Sequence, residues 1–127
     1  MRILFIGDIV GKPGRVILTK VLPALIARWR LDLVIANAEN AAGGSGLNQQ
    51  CCDEITRAGV RVLTMGDHIY KRLEILPTLN STERICKPVN LPPEAAGRDF
   101  AYFGTKRGVR VAVLSLLRRT YMNVRAD

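Results

Sequence analysis

The sequence predicts an α/β fold: a mostly parallel sheet of βαβ units with an antiparallel hairpin appended. Three observations carry this. Short apolar runs of strand length recur at residues 2–7, 33–38 and 60–65, each closed by glycine or a polar residue. Between them, apolar residues repeat at the three- and four-residue offsets of a helix face. Successive runs are separated by about 30 residues, the length of one βα unit, so the connections read as crossovers between parallel strands.

Taken in order, residues 2–7 read as a buried strand bounded by Gly7. After Gly14, the residues Leu18, Val21, Leu22, Leu25, Ile26 and Trp29 fall on one helix face. Pro23 interrupts that helix, where proline costs about 3 kcal/mol, but it lies off the apolar stripe on the side of Lys20. Water can satisfy the freed carbonyl there, which permits a kink. Residues 33–38 form the second strand and lead to Glu39-Asn40. A loop holding Gly43, Gly44 and Gly46 opens a second helix, with Leu47, Cys51, Ile55 and Ala58 on one face. Gly59 is placed to stop it in the left-handed conformation. Residues 60–65 form the third strand and end at Gly66-Asp67-His68; a short helix follows over residues 72–79, then a fourth strand over 85–89. Residues 100–103 and 109–116 flank a glycine-bounded loop and read as a hairpin, its second strand buried on both faces.

Composition narrows the function classes. At 127 residues, 48% hydrophobic and 24% charged, the chain suits one domain with one core and excludes collagen-like and disordered classes. The apolar stretch at residues 109–117 carries an arginine and falls short of the about 20 residues of a membrane span. The N-terminal apolar run stops at Gly7-Asp8, too early for a signal peptide, so a cytoplasmic protein is expected. Cys51, Cys52 and Cys86 form no CxxC pair, and the two adjacent ones read as helix packing residues rather than reactive thiols. The net charge of +8 suggests nucleic acid at first sight. Much of the excess lies at Arg98, Lys106, Arg107, Arg110, Arg118, Arg119 and Arg125, without interleaved aromatics. A solvated basic face explains it better than a nucleic-acid groove, and no membrane or nucleic-acid partner is expected.

The chemistry should sit at the strand ends. Asp8, Glu39-Asn40 and Asp67-His68 each follow a strand, and in a parallel sheet those ends open on one edge, where α/β sheets bind ligands. Three carboxylates converging there would repel one another unless a cation lay between them. Oxygen donors suit hard or borderline divalent metals, and a shared carboxylate is a natural bridge in a two-metal site. The plainer alternative is that each polar residue merely caps the next helix. A second alternative is a Rossmann-like nucleotide-binding module, with Gly7, Gly11 and Gly14 after the first strand. That spacing is not G-x-G-x-x-G, and Asp8 would meet a pyrophosphate with like charge.

Three segments resemble a known family: Met1 to Arg15 (Met-Arg-Ile-Leu-Phe-Ile-Gly-Asp-Ile-Val-Gly-Lys-Pro-Gly-Arg), Asn37 to Leu47 (Asn-Ala-Glu-Asn-Ala-Ala-Gly-Gly-Ser-Gly-Leu), and Thr64-Met-Gly-Asp-His68. They are similar to bacterial metallophosphoesterases of the 2′,3′-cyclic-nucleotide 2′-phosphodiesterase kind. The likeness continues through Lys87-Pro-Val-Asn90 and Arg119-Thr-Tyr-Met122. It implies an α/β sandwich and a dinuclear centre of iron or manganese, with magnesium as an alternative. Asp8, Glu39, Asn40 and Asp67 would be metal ligands, Glu39 bridging, and His68 would be the catalytic residue that assists phosphoester cleavage.

Two departures matter. The family has Gly-Asn-His where this chain has Gly66-Asp67-His68. The family's second half also supplies a histidine and a His-x-His pair, whereas His68 is the one histidine here. The resemblance therefore implies that residues 1–127 are the N-terminal part of a single metallophosphoesterase domain, cut short at the C-terminus. The expected activity is hydrolysis of a small-molecule phosphodiester, cyclic nucleotides of the 2′,3′ type, by the complete enzyme. These residues alone are expected to be inactive and open to homo-oligomerisation. A non-catalytic half-domain that binds a partner is the remaining alternative.

Overall fold

The computed structural model describes residues 1–105 and 108–118. In chain order these form β1 (Ile3–Asp8), α1 (Gly11–Trp29), β2 (Leu33–Asn37), α2 (Gln49–Arg57) and β3 (Val62–Thr64). A 3₁₀ turn (Leu73–Ile75) then runs into α3 (Leu76–Ser81), followed by β4 (Ile85–Cys86), β5 (Phe100–Gly104) and β6 (Arg110–Leu114). The first four strands pair in the order β1-β2-β3-β4, parallel throughout. Each crossover steps the same way along the sheet, so right-handed connections bring every helix to one face. There Leu18, Leu22, Cys51, Ile55 and Leu79 pack with Val34, Ala36, Leu63 and Ile85. On the other face Leu33, Ile35, Val62 and Cys86 pack with Ala101 and Val113 of the antiparallel β5–β6 ribbon. Being covered on both sides, β2 and β3 are apolar at nearly every position.

Local signals agree with this plan. The Asn48 side chain accepts from the Cys51 N–H and caps α2. Gly59 follows the helix with φ 119°. All three cysteines are free and buried. Burial pushes the Cys52 and Cys86 thiols up to about 11, as suits inert packing groups. Pro23 is exposed, and α1 runs through it without a break.

Several expectations are corrected. The first strand is not buried, because among the described residues nothing pairs with the outer edge of β1. Ile3 and Phe5 are 44% and 58% exposed, since the ribbon covers β2 to β4 and leaves them open. The stripe on α1 is half covered because no described strand extends the sheet beneath it beyond β1: Leu18 and Leu22 are buried, while Val21 and Trp29 face outward. An apolar groove of about 400 Å³ lies between α1 and β1, lined by Leu4, Ile6, Val21 and Leu25. Within β6 only Val113 is buried, since a ribbon of two strands covers the sheet with one face and shows solvent the other. The fourth strand stops at Cys86, as Pro88 has no N–H to donate. Its line continues as single bridges, Cys86 to Arg98 and Pro88 to Ser115. Lys106, Arg107 and the Arg119-Thr-Tyr-Met122 motif lie outside the described residues.

Candidate metal centre

Strand register sets the site. Asp8 stands opposite Asn37, and Asn37 opposite Thr64, so β1, β2 and β3 end on one edge. A register shift between Ile6 and Asp8 bends the end of β1. Beyond β2, the Ala38 N–H still donates to the Thr64 carbonyl at 3.1 Å, which holds Glu39 beside β3. The Asn37 side chain orients Glu39, accepting from its N–H at 3.2 Å and donating to Oε1 at 3.4 Å. The Asn40 carbonyl accepts from the Gly11 and Gly44 N–H groups, tying this turn to the start of α1.

The expected side chains come together as a connected chain. Ligand atoms of Glu39, Asp67 and His68 lie within 4.8 Å of one another. The His68 N–H donates to Glu39 Oε2 at 3.3 Å, and His68 Nε2 is 3.6 Å from Asp67 Oδ2. On its other side the His68 Nδ1 meets Asn40 Oδ1, while Asn40 Nδ2 donates to Asp8 Oδ2 at 2.7 Å. A carboxylate can only accept, so Asp8 fixes the Asn40 amide with its oxygen toward the imidazole. That orientation makes Nδ1 a donor and leaves Nε2 toward Asp67. Asp8 is thus joined to the others through Asn40 and lies outside the close trio. Strand order explains this: β2 separates β1 from β3 by two strand spacings, about 10 Å.

The donor set fits a divalent cation. A Cβ at Gly66 would run into the Glu39 carboxylate, so the bare glycine backbone forms a cradle for that group. Burial pushes the Glu39 carboxyl up; the His68 N–H offsets part of this, and the neighbouring Asp67 charge adds to it. Among the described residues, no lysine or arginine forms an ion pair with Asp8, Glu39 or Asp67. Adjacent carboxylates with an amide and an imidazole, left without a cationic side chain, are donors suited to a hard or borderline metal. Sequence reasoning missed Asn37 and Gly66 as parts of the site. Each lies inside a motif it had marked, but as a neighbour of the ligands.

Comparison with known proteins gives the class. The chain is 34% identical over 122 residues to the 2′,3′-cyclic-nucleotide 2′-phosphodiesterase of Bacillus subtilis, covering 96% of this chain and 46% of that protein. It superposes on a phosphatase from Mycoplasma pneumoniae with TM-score 0.83 and 31% identity, over 93% of this chain and 43% of that one. A hypothetical protein from Thermus thermophilus matches all of this chain and 49% of its own, with TM-score 0.92 and 35% identity. The relatives with named activities are a phosphodiesterase and a phosphatase. The family described as YmdB-like protein matches residues 4–127, and the chain belongs to it. The chain spans about half the length of the relatives it matches. No helix among the described residues is long and apolar enough to cross a membrane.

Proposed function

We propose that residues 1–127 are the N-terminal part of one metallophosphoesterase domain. Its complete site would hydrolyse phosphodiesters, with 2′,3′-cyclic nucleotides as the substrate class and two divalent cations as cofactor. The observation that carries this reading is the position of Glu39 just past β2, the strand between β1, which ends at Asp8, and β3, which Asp67 follows. Asp8 would hold one cation, Asp67 the other, and Glu39 both; Asn40 would bind a cation or a phosphate oxygen. Mixed oxygen and nitrogen donors favour iron or manganese over magnesium. When bound, the cations supply Lewis acidity toward the phosphoryl oxygens and acidify the attacking water.

The chain's own residues handle orientation and the proton. Asn37 and the Gly66 cradle hold the Glu39 carboxylate in one pose. Asn40 holds the His68 ring through Nδ1, so Nε2 is the nitrogen that serves the substrate. With the His68 ring in its imidazolium form, Nδ1–H stays on Asn40 and the Nε2 proton passes to the leaving alkoxide as water oxygen bonds to phosphorus and the ester P–O bond breaks. The proton shed by the attacking water then restores Nε2–H.

The test uses residues 1–127 alone and the same residues fused to the second half of the Bacillus subtilis relative. Both are assayed with Mn²⁺ on 2′,3′-cyclic AMP and on a generic phosphodiester. The fusion should turn over and its His68→Ala form should lose activity at least 100-fold, the usual order for a positioned acid–base group. The short chain should be inactive. Turnover by the short chain that His68→Ala abolishes would contradict the incomplete site; a folded, Mn²⁺-loaded fusion without turnover would contradict the phosphodiesterase reading.

A further inference from the structure

Two loops carry the candidate ligands: residues 38–46 bear Glu39 and Asn40, and residues 66–72 bear Asp67 and His68. One side chain ties them together. Arg72, four residues beyond His68, donates its single Nε–H to both the Ala42 and Ser45 carbonyls, at 3.0 and 3.1 Å. The first loop is shaped to receive it. A Cβ at Gly46 would lie 2.9 Å from Arg72 Cγ and 3.3 Å from its backbone nitrogen, and a Cβ at Gly43 would lie 3.1 Å from Nη2. The loop also closes on itself and on the ligands: the Gly46 N–H donates to the Glu39 carbonyl at 2.6 Å, and the Ala42 N–H to the Gly46 carbonyl at 2.9 Å. Arg72 therefore grips the loop on both sides of its turn, and that turn holds the backbone of Glu39.

We infer that Arg72 is a positioning residue that fixes the spacing between the Glu39–Asn40 loop and the Asp67–His68 loop. Nothing else in its surroundings accounts for it as well. Its charge partner, Glu74, is 60% exposed and 4.0 Å away, a separation at which solvent screens most of the attraction. Three glycines in the loop leave the segment without stiffness of its own, and a donor shared between two carbonyls supplies it. A second residue, Arg15, holds the neighbouring Ala41 carbonyl while pairing with Glu54 on α2 at 2.7 Å, so it anchors the loop to the helices. Arg72 alone of the two comes from the segment that bears Asp67 and His68. Its consequence for metal binding rests on the proposed function; the clamp itself does not.

The experiment is amide hydrogen exchange on the metal-free chain, paired with Mn²⁺ titration, for wild type and Arg72→Ala. Loss of the clamp should speed exchange of the Gly46 and His68 amides about 10-fold or more while leaving Val34 and Leu63 in the sheet unchanged. Mn²⁺ affinity should fall about 10–100-fold, the usual effect of removing a group that orients ligands. Arg72→Lys keeps the charge without the guanidinium plane and is the second variant if the alanine chain fails to fold; the same shifts are expected. Unchanged Gly46 and His68 exchange in a folded variant would overturn the clamp. Faster exchange in the variant, together with a wild-type fusion to the second half that binds no Mn²⁺, would uphold the clamp and overturn the metal reading instead.

Discussion

Asp67 holds a charge at a position where the resembled family has asparagine, and its oxygen is one of the three atoms that gather within 4.8 Å. An extra negative charge should bind a cation more tightly while lowering its power to polarise phosphoryl oxygen. Asp67→Asn is therefore expected to weaken Mn²⁺ binding about 10-fold, in the range seen for perturbed metal sites, yet to keep turnover in the fused enzyme. Titration and assay of the same sample check this, and lost turnover at full metal occupancy would show that Asp67 acts as a base. At this scale Asp8, Glu39, Asn40, Asp67 and His68 were legible because each follows a strand of recognisable pattern. Asn37, Gly66 and Arg72 were not legible as parts of the site. They hold other residues in place, and the Arg72 contacts join residues 27 and 30 positions apart, a distance over which no local periodicity carries information.

At the scale of elements, the helices and strand positions followed from apolar spacing, but the burial of two strands did not. The run in β1 resembles that in β2, yet Phe5 is 58% exposed and its register partner Ile35 is 7% exposed. The difference is position in the sheet: β2 has neighbours on both sides and cover on both faces, and among the described residues β1 is an edge. Likewise β6 has the composition of a buried strand and lies in a ribbon with one wet face. A strand's own residues do not state how many neighbours it will have. The open edge of β1 and the apolar groove beside it should make residues 1–127 self-associate. Sedimentation at tens of micromolar is expected to give a mass above the 14.0 kDa of one chain, and Phe5→Lys to return it to 14.0 kDa. A wild-type chain that sediments as a monomer would show that this edge is not adhesive.

For the molecule as a whole, topology does most to build the site. Parallel strands in sequential order bring three separated segments to one edge, and among the described residues the helices lie on one face of the sheet. The central claim is that a divalent cation binds at this carboxyl edge, with Glu39 in the middle. Paramagnetic broadening by Mn²⁺ in the amide spectrum of the chain locates the ion directly. Broadening should be strongest at Asp8, Glu39, Asn40, Asp67 and His68 and weakest at Asp32, Arg61 and Arg84, which precede β2, β3 and β4 at the opposite edge. Broadening centred on that opposite edge, or unchanged when Glu39 is replaced by alanine, would contradict it.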